Sequence, residues 1–156
     1  MKLGLGTVQF GLNYGISNHH GIPSADEIVR ILRLAEERGI RYLDTAAEYG
    51  RSEETLGEQI NAGGFSDFRV VTKTPKAASV DSERNAREFH TTFMRSLERL
   101  RLNAVYGLLI HRAEDLISGG SRLKVKRWAL GSLGRPTTTP STFARNSHIT
   151  ARMAPS

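Results

Sequence analysis

Four short apolar runs alternate with helix-forming stretches over the first 120 of 156 residues. That alternation restricts the fold more than any other feature. Strands separated by helices cannot be joined by tight hairpins, so they should run parallel, linked by right-handed crossovers. The first run covers residues 3–7, and a Gly- and Asn-rich loop follows it to Gly21. Ser24 and Glu27 then have the spacing of a capping box, in which Ser24 satisfies a free backbone N–H and Glu27 reaches back. Ile28, Ile31, Leu32 and Ala35 make one apolar stripe, and Gly39 stops the helix. Ile40, Tyr42 and Leu43 form a second strand ending at Asp44. Ser52-Glu53-Glu54 open a second helix with Leu56 and Ile60 inward, closed by Gly63-Gly64. Residues 68–73 make a third strand, and Asp81 can cap a third helix with Phe89, Phe93, Leu97 and Leu100 on one side. Residues 104–110 make a fourth strand ending at His111, and residues 113–117 begin a fourth helix. Both a doubly wound sheet and a barrel of alternating strands and helices fit this pattern.

The charge divides at the same point as the pattern. Residues 1–120 carry 15 Lys and Arg against 16 Asp and Glu, whereas residues 121–156 carry seven basic residues and no acid. The basic pI therefore belongs to a tail. That tail holds 13 Ser, Thr and Pro residues, including Pro136-Thr137-Thr138-Thr139-Pro140, a composition poor at burying apolar surface. The expected division is a domain over 1–120 and a loose basic tail over 121–156, either genuine or the product of a reading-frame shift. Trp128 beside Lys124, Lys126 and Arg127 could touch nucleic acid, but the segment offers no folded platform, so no nucleic-acid partner is expected. The absence of cysteine excludes disulfides, thiolate catalysis and Cys-ligated metals. No apolar run approaches the roughly 18 residues of a membrane span, and the start lacks a signal-peptide pattern. A cytoplasmic address without membrane contact is the default. His19-His20 lack a supporting acid cluster, so no metal is expected.

Four polar residues fall at the ends of the apolar runs: Asp44 after the second, Tyr49 in the loop beyond it, Lys73 at the end of the third and His111 at the end of the fourth. In parallel α/β folds these ends converge on one rim, where active sites form. Singly, each has a plain reading as a turn acid, a loop aromatic or a polar strand exit. Jointly they define a chemistry. Tyrosine is a poor acid at neutral pH, with a pKa of roughly 10, and a neighbouring ammonium strengthens it. Lys73 could supply that charge, Asp44 could fix Lys73, and His111 could orient a carbonyl oxygen. Gly4-x-Gly6 is no dinucleotide fingerprint, because Gln9 stands at the third glycine position.

Gly4-Leu5-Gly6-Thr7-Val8-Gln9-Phe10-Gly11, Leu43-Asp44-Thr45-Ala46-Ala47-Glu48-Tyr49-Gly50-Arg51-Ser52-Glu53, Val71-Thr72-Lys73 and Leu109-Ile110-His111 resemble the aldo-keto reductase family in order and spacing, over about residues 3–118. The resemblance implies an eight-stranded parallel β/α barrel that binds NADPH or NADH without a Rossmann motif and reduces an aldehyde or ketone to an alcohol. By the same resemblance, Asp44, Tyr49, Lys73 and His111 are the catalytic residues, and Gly6, Thr7 and Asp44 lie at the nicotinamide end of the cofactor. A full barrel takes about 250 residues, so four β/α units amount to its first half. In the family the grip on the cofactor's phosphates comes mostly from the second half, whose motifs are absent from residues 121–156. Turnover by the chain alone is therefore expected to be low. Two other functions remain open: a Schiff-base barrel lyase with Lys73 as nucleophile, and a non-catalytic remnant that binds a full-length reductase. Deleting residues 121–156 is expected to leave the far-UV circular dichroism per molecule nearly unchanged; a large loss of helix or strand signal would make the tail structural.

Overall fold

The computed structural model describes residues 3–77, 82–112 and 115. The Asp81 cap, the fourth helix over residues 113–117 and the tail lie outside the described residues, apart from Asp115. The elements run β1 (Gly4–Gly6), α1 (Ala25–Glu37), β2 (Tyr42–Asp44), α2 (Ser52–Gly63), β3 (Arg69–Lys73), α3 (Ser82–Leu100) and β4 (Gly107–Leu109). All three strand pairs are parallel, in the order β1-β2-β3-β4. A doubly wound sheet reverses its strand order at a switch point. Here the order is unbroken, and right-handed crossovers then put every helix on one face. That is the wall of a singly wound barrel, four of eight strands wide. Packing agrees, with α1 against α2 and α2 against α3. The strands are shorter than the apolar runs, because only residues in register with a neighbour join the ladder. Among the described residues no helix is long and apolar enough to cross a membrane.

Strand periodicity sorts the side chains. Leu5, Leu43 and Val70 share one register row. Leu43 and Val70 lie in the core with Phe10, Ile28, Leu32, Leu56, Ile60, Phe65 and Leu100, and Leu5 packs against it. Adjacent residues on a strand point to opposite faces, so Asp44 and Lys73 are sent to the face away from the helices. The expected stripe of α1 holds, with Ile28, Leu32 and Ala35 buried and Ile31 half-buried against the core. Ser24 Oγ accepts from the Glu27 N–H at 3.3 Å. The returning half of the box does not follow: the Glu27 carboxylate instead takes the guanidinium of Arg30, one turn on.

The helix ends share one device. At α1, Ile40 N–H donates to Ala35 O and Gly39 N–H to Glu36 O, with Gly39 at φ 71°. This is the Schellman arrangement, which needs a left-handed residue just past the helix. Gly64, at φ 69°, supplies it after α2. After α3 the same bonds run from Leu102 N–H to Leu97 O and from Arg101 N–H to Glu98 O, but the left-handed residue is Arg101, at φ 55°. A side chain there costs about 1–2 kcal/mol, and the exposed Arg101–Glu58 pair returns little of it.

Beneath the sheet lies a buried ion pair. Glu53, 1% exposed, accepts from Thr72 Oγ1 at 2.6 Å and from Arg99 Nε and Nη2 at 2.8 and 2.6 Å. One carboxylate on α2 thereby ties β3 to α3. Two stability outcomes are expected in urea unfolding. Arg101→Gly should raise stability by up to about 1 kcal/mol by removing the left-handed strain; a lower midpoint would show that the Glu58 pair outweighs it. Glu53→Ala should cost about 3–5 kcal/mol, because Arg99 and Thr72 are left without their acceptor; a loss below 1 kcal/mol would show that water replaces the carboxylate.

Candidate active site

The C-terminal ends of β2 and β3 meet at Lys73. Its side chain is 14% exposed, and Nζ lies 2.7 Å from Asp44 Oδ1 and 3.0 Å from Thr45 O. Both acceptors come from the exit of β2. The ammonium also stands 4.9 Å from the centroid of the Tyr49 ring, close enough for cation–π attraction. On its other side the Tyr49 ring meets His111 edge to face, with centroids 6.0 Å apart. The four residues singled out from sequence are therefore one contiguous group, in the order Asp44, Lys73, Tyr49, His111.

Tyr49 reaches this position through two loops pressed together. The turn after β2 closes through Tyr49 N–H to Ala46 O and Ser52 N–H to Tyr49 O. The loop after β1 lies directly against it. A Cβ on Gly11 would fall 2.2 Å from Tyr49 O and 2.1 Å from Ser52 N, and one on Gly50 would fall 2.4 Å from Gly11 O. Gly50 also has φ 57°. No other residue type fits either place without moving the backbone that carries Tyr49. A buried hydroxyl network holds the same loops. Ser52 Oγ donates to Thr7 O at 2.6 Å and lies 3.0 Å from Thr7 Oγ1 and 3.2 Å from Thr45 Oγ1. Thr7 Oγ1 in turn donates to Asp44 O at 3.1 Å. Thr7, Thr45 and Ser52 are fully buried.

Gly6 ends β1 opposite Asp44 in register. A side chain at Gly6 would meet nothing within 4 Å, so the strand end opens onto free space beside a carboxylate that is 45% exposed. Thr7, by contrast, turns its hydroxyl inward. His111 is anchored by its own N–H to Thr74 Oγ1 at 3.4 Å. Its Nδ1 lies 3.9 Å from Glu48 Oε2, and Glu48 Oε1 accepts from the Lys76 N–H at 3.0 Å. His19 and His20 lie apart, in the β1–α1 loop. Ser52 and Glu48 also stand at this rim. In the sequence Ser52 reads as a helix-opening residue and Glu48 has no mark of its own, and only the folded turn brings either to its place.

The fold agrees with the comparisons. The model of the Aldo/keto reductase family matches residues 2–117. Comparison with curated proteins gives no match. Among solved structures, two of proteins from Pseudomonas aeruginosa assigned as aldo-keto reductases are similar. One is 33% identical, with a TM-score of 0.56, covering 70% of this chain and 42% of that one. The other is 32% identical, with a TM-score of 0.55, covering 70% and 40%. A Bombyx mori aldo-keto reductase in complex with NADP is 28% identical, with a TM-score of 0.49, covering 69% and 33%. The chain thus spans less than half the length of each of these proteins. The match over three quarters of the sequence and the parallel half-barrel wall lead to one assignment: the chain belongs to the aldo/keto reductase family.

Proposed function

We propose that this chain carries the acid–base half of an NAD(P)H-dependent carbonyl reductase, which converts an aldehyde or ketone to an alcohol in the cytoplasm. The observation that carries the proposal is the Lys73 ammonium, 2.7 Å from Asp44 Oδ1 and 4.9 Å from the Tyr49 ring centroid. The residues present fit a nicotinamide at one end: Gly6 leaves open space at the exit of β1, and the half-exposed Asp44 borders it. Thr7 supports that end by locking β1 onto β2 rather than by contact through its buried hydroxyl. Bound NADPH or NADH supplies hydride to the carbonyl carbon.

In this reading each of the chain's own residues has one part in the reaction. As the C=O bond becomes a single bond, its oxygen takes the phenolic proton of Tyr49. The phenolate left behind is stabilised by the ammonium of Lys73. Asp44 keeps that ammonium in place, and the Thr45 carbonyl takes a second of its hydrogens. His111, against the far edge of the Tyr49 ring, lines the side from which a carbonyl oxygen can be oriented. Tyr49 then recovers its proton from solvent. A Schiff-base role for Lys73 is not favoured. A nucleophilic amine needs a free lone pair, whereas this nitrogen donates to a carboxylate and a carbonyl.

Turnover depends on how the cofactor is held. By family resemblance most of the phosphate grip lies in the half of the barrel beyond these four units, so the 156-residue chain alone should oxidise NADPH at background rate. Adding a matching C-terminal half-barrel should restore oxidation with a reactive aldehyde. In that complemented enzyme Tyr49→Phe should lower kcat about 10²–10⁴-fold, the range for loss of a general acid, and Lys73→Met should lower it in the same direction. Full activity in Tyr49→Phe would reject Tyr49 as the acid. Robust activity without the second half would reject the dependence on it, and absence of saturable NADPH binding in the complemented form would favour the non-catalytic remnant.

A further inference from the structure

We propose that Glu48 is a positioning residue for His111: it draws the proton of the imidazole to Nδ1 and so makes the imidazolium the form that donates from Nε2. The inference deepens the reductase proposal and rests on it only for its consequence, not for its geometry. His111 Nδ1 is buried and has no hydrogen-bond partner among the described residues. A buried polar atom left in that state costs about 1–3 kcal/mol. The acceptor facing it is Glu48 Oε2, at 3.9 Å, about 1 Å beyond hydrogen-bond distance. Catalytic hydrogen bonds are often long before substrate binds, and a small pivot of the ring closes this one.

The carboxylate is itself held. Glu48 Oε1 accepts from the Lys76 N–H at 3.0 Å, and Lys76 Nζ lies 3.7 Å from Oε2. Glu48 therefore joins the turn after β2, the segment after β3 and the exit of β4. Among the described residues, the charged groups linked to the imidazole are Glu48, with Lys76 behind it, and Lys73 with Asp44 beyond Tyr49. A carboxylate that accepts the Nδ1 hydrogen decides the tautomer, because the bond made by one ring nitrogen sets the state of the other. With the proton on Nδ1, a neutral His111 offers only an acceptor at Nε2. It becomes a donor to a carbonyl oxygen on taking a second proton, and Glu48 balances the charge that results.

The test is a ¹⁵N-histidine NMR correlation spectrum of the full 156-residue chain, above the pH at which the imidazole titrates. His111→Asn assigns the signal among the five histidines. The expected wild-type result is protonated Nδ1 and unprotonated Nε2 at His111, with Glu48→Ala moving the proton to Nε2. A wild-type spectrum with the proton on Nε2 overturns the proposal without any variant, and so does a Glu48→Ala spectrum with an unchanged tautomer. The readout needs neither cofactor nor turnover. Failure of the reductase reading would show as full activity in complemented Tyr49→Phe, and failure of this one as the wrong tautomer.

Discussion

A nearly desolvated ammonium cannot stand without acceptors, and the acceptors available to Lys73 determine the geometry of the rim. Asp44 Oδ1 and Thr45 O come from consecutive residues at the exit of β2. In the parallel register Asp44 stands opposite Val71, so Lys73, two residues further on, extends past the last paired residue of β2. From there it reaches back over the strand end. Removal of Asp44 would leave a charge only partly satisfied by a carbonyl, and such losses are far larger than the net worth of the pair. The Tyr49 ring is placed against the same charge, so the group that fixes the strand ends also packs against the aromatic face.

The rim is stiff because the sheet is extended by one rung beyond its strands. Thr7 N–H donates to Asp44 O, Thr45 N–H to Val71 O and Thr74 N–H to Leu109 O. At each exit the residue is a buried threonine. β-Branched side chains suit extended backbone, and each of these hydroxyls is used inward: Thr7 and Thr45 toward Ser52, and Thr74 toward the His111 N–H. Lys73 and His111 thus rise from a hydrogen-bonded sheet edge, and Tyr49 from a turn held against it.

Sequence periodicity made the four strands and the three helices between them legible, along with the helix stripes and the polar residues at the strand ends. These depend on patterns of two and of three to four residues, which single side chains display directly. The strand order became legible only with the fold, and it removed the doubly wound alternative. Other features leave no local mark. Arg101 in a left-handed conformation carries no glycine signal. Glu53 looks like the solvent-facing acid of a helix's first turn, yet it is buried, because Thr72 and Arg99 approach it from 19 and 46 residues away. Glu48 has no periodicity at all; its place follows from a turn that closes on Ala46 O.

Two charge systems meet back to back on β3. Thr72 points toward the helices and donates to Glu53, which also holds Arg99, while Lys73, the next residue, points the other way and holds Asp44. Neighbouring residues on a strand face opposite sides, so a slip of β3 by one residue would exchange the two. The ammonium would then enter the helix-side core, and Asp44 would face a neutral threonine or valine. Register in a parallel sheet is usually pinned by apolar side chains alone; here Val70 does that beneath the helices while both charged groups penalise the same error. The two systems serve different ends. In the Glu53–Arg99 pair the carboxylate is buried and the guanidinium partly so, and the pair contributes to holding α2, α3 and β3 together. Lys73–Asp44 opens to solvent through the half-exposed carboxylate, which is the condition for a charge pair to act on a ligand as well as on the fold.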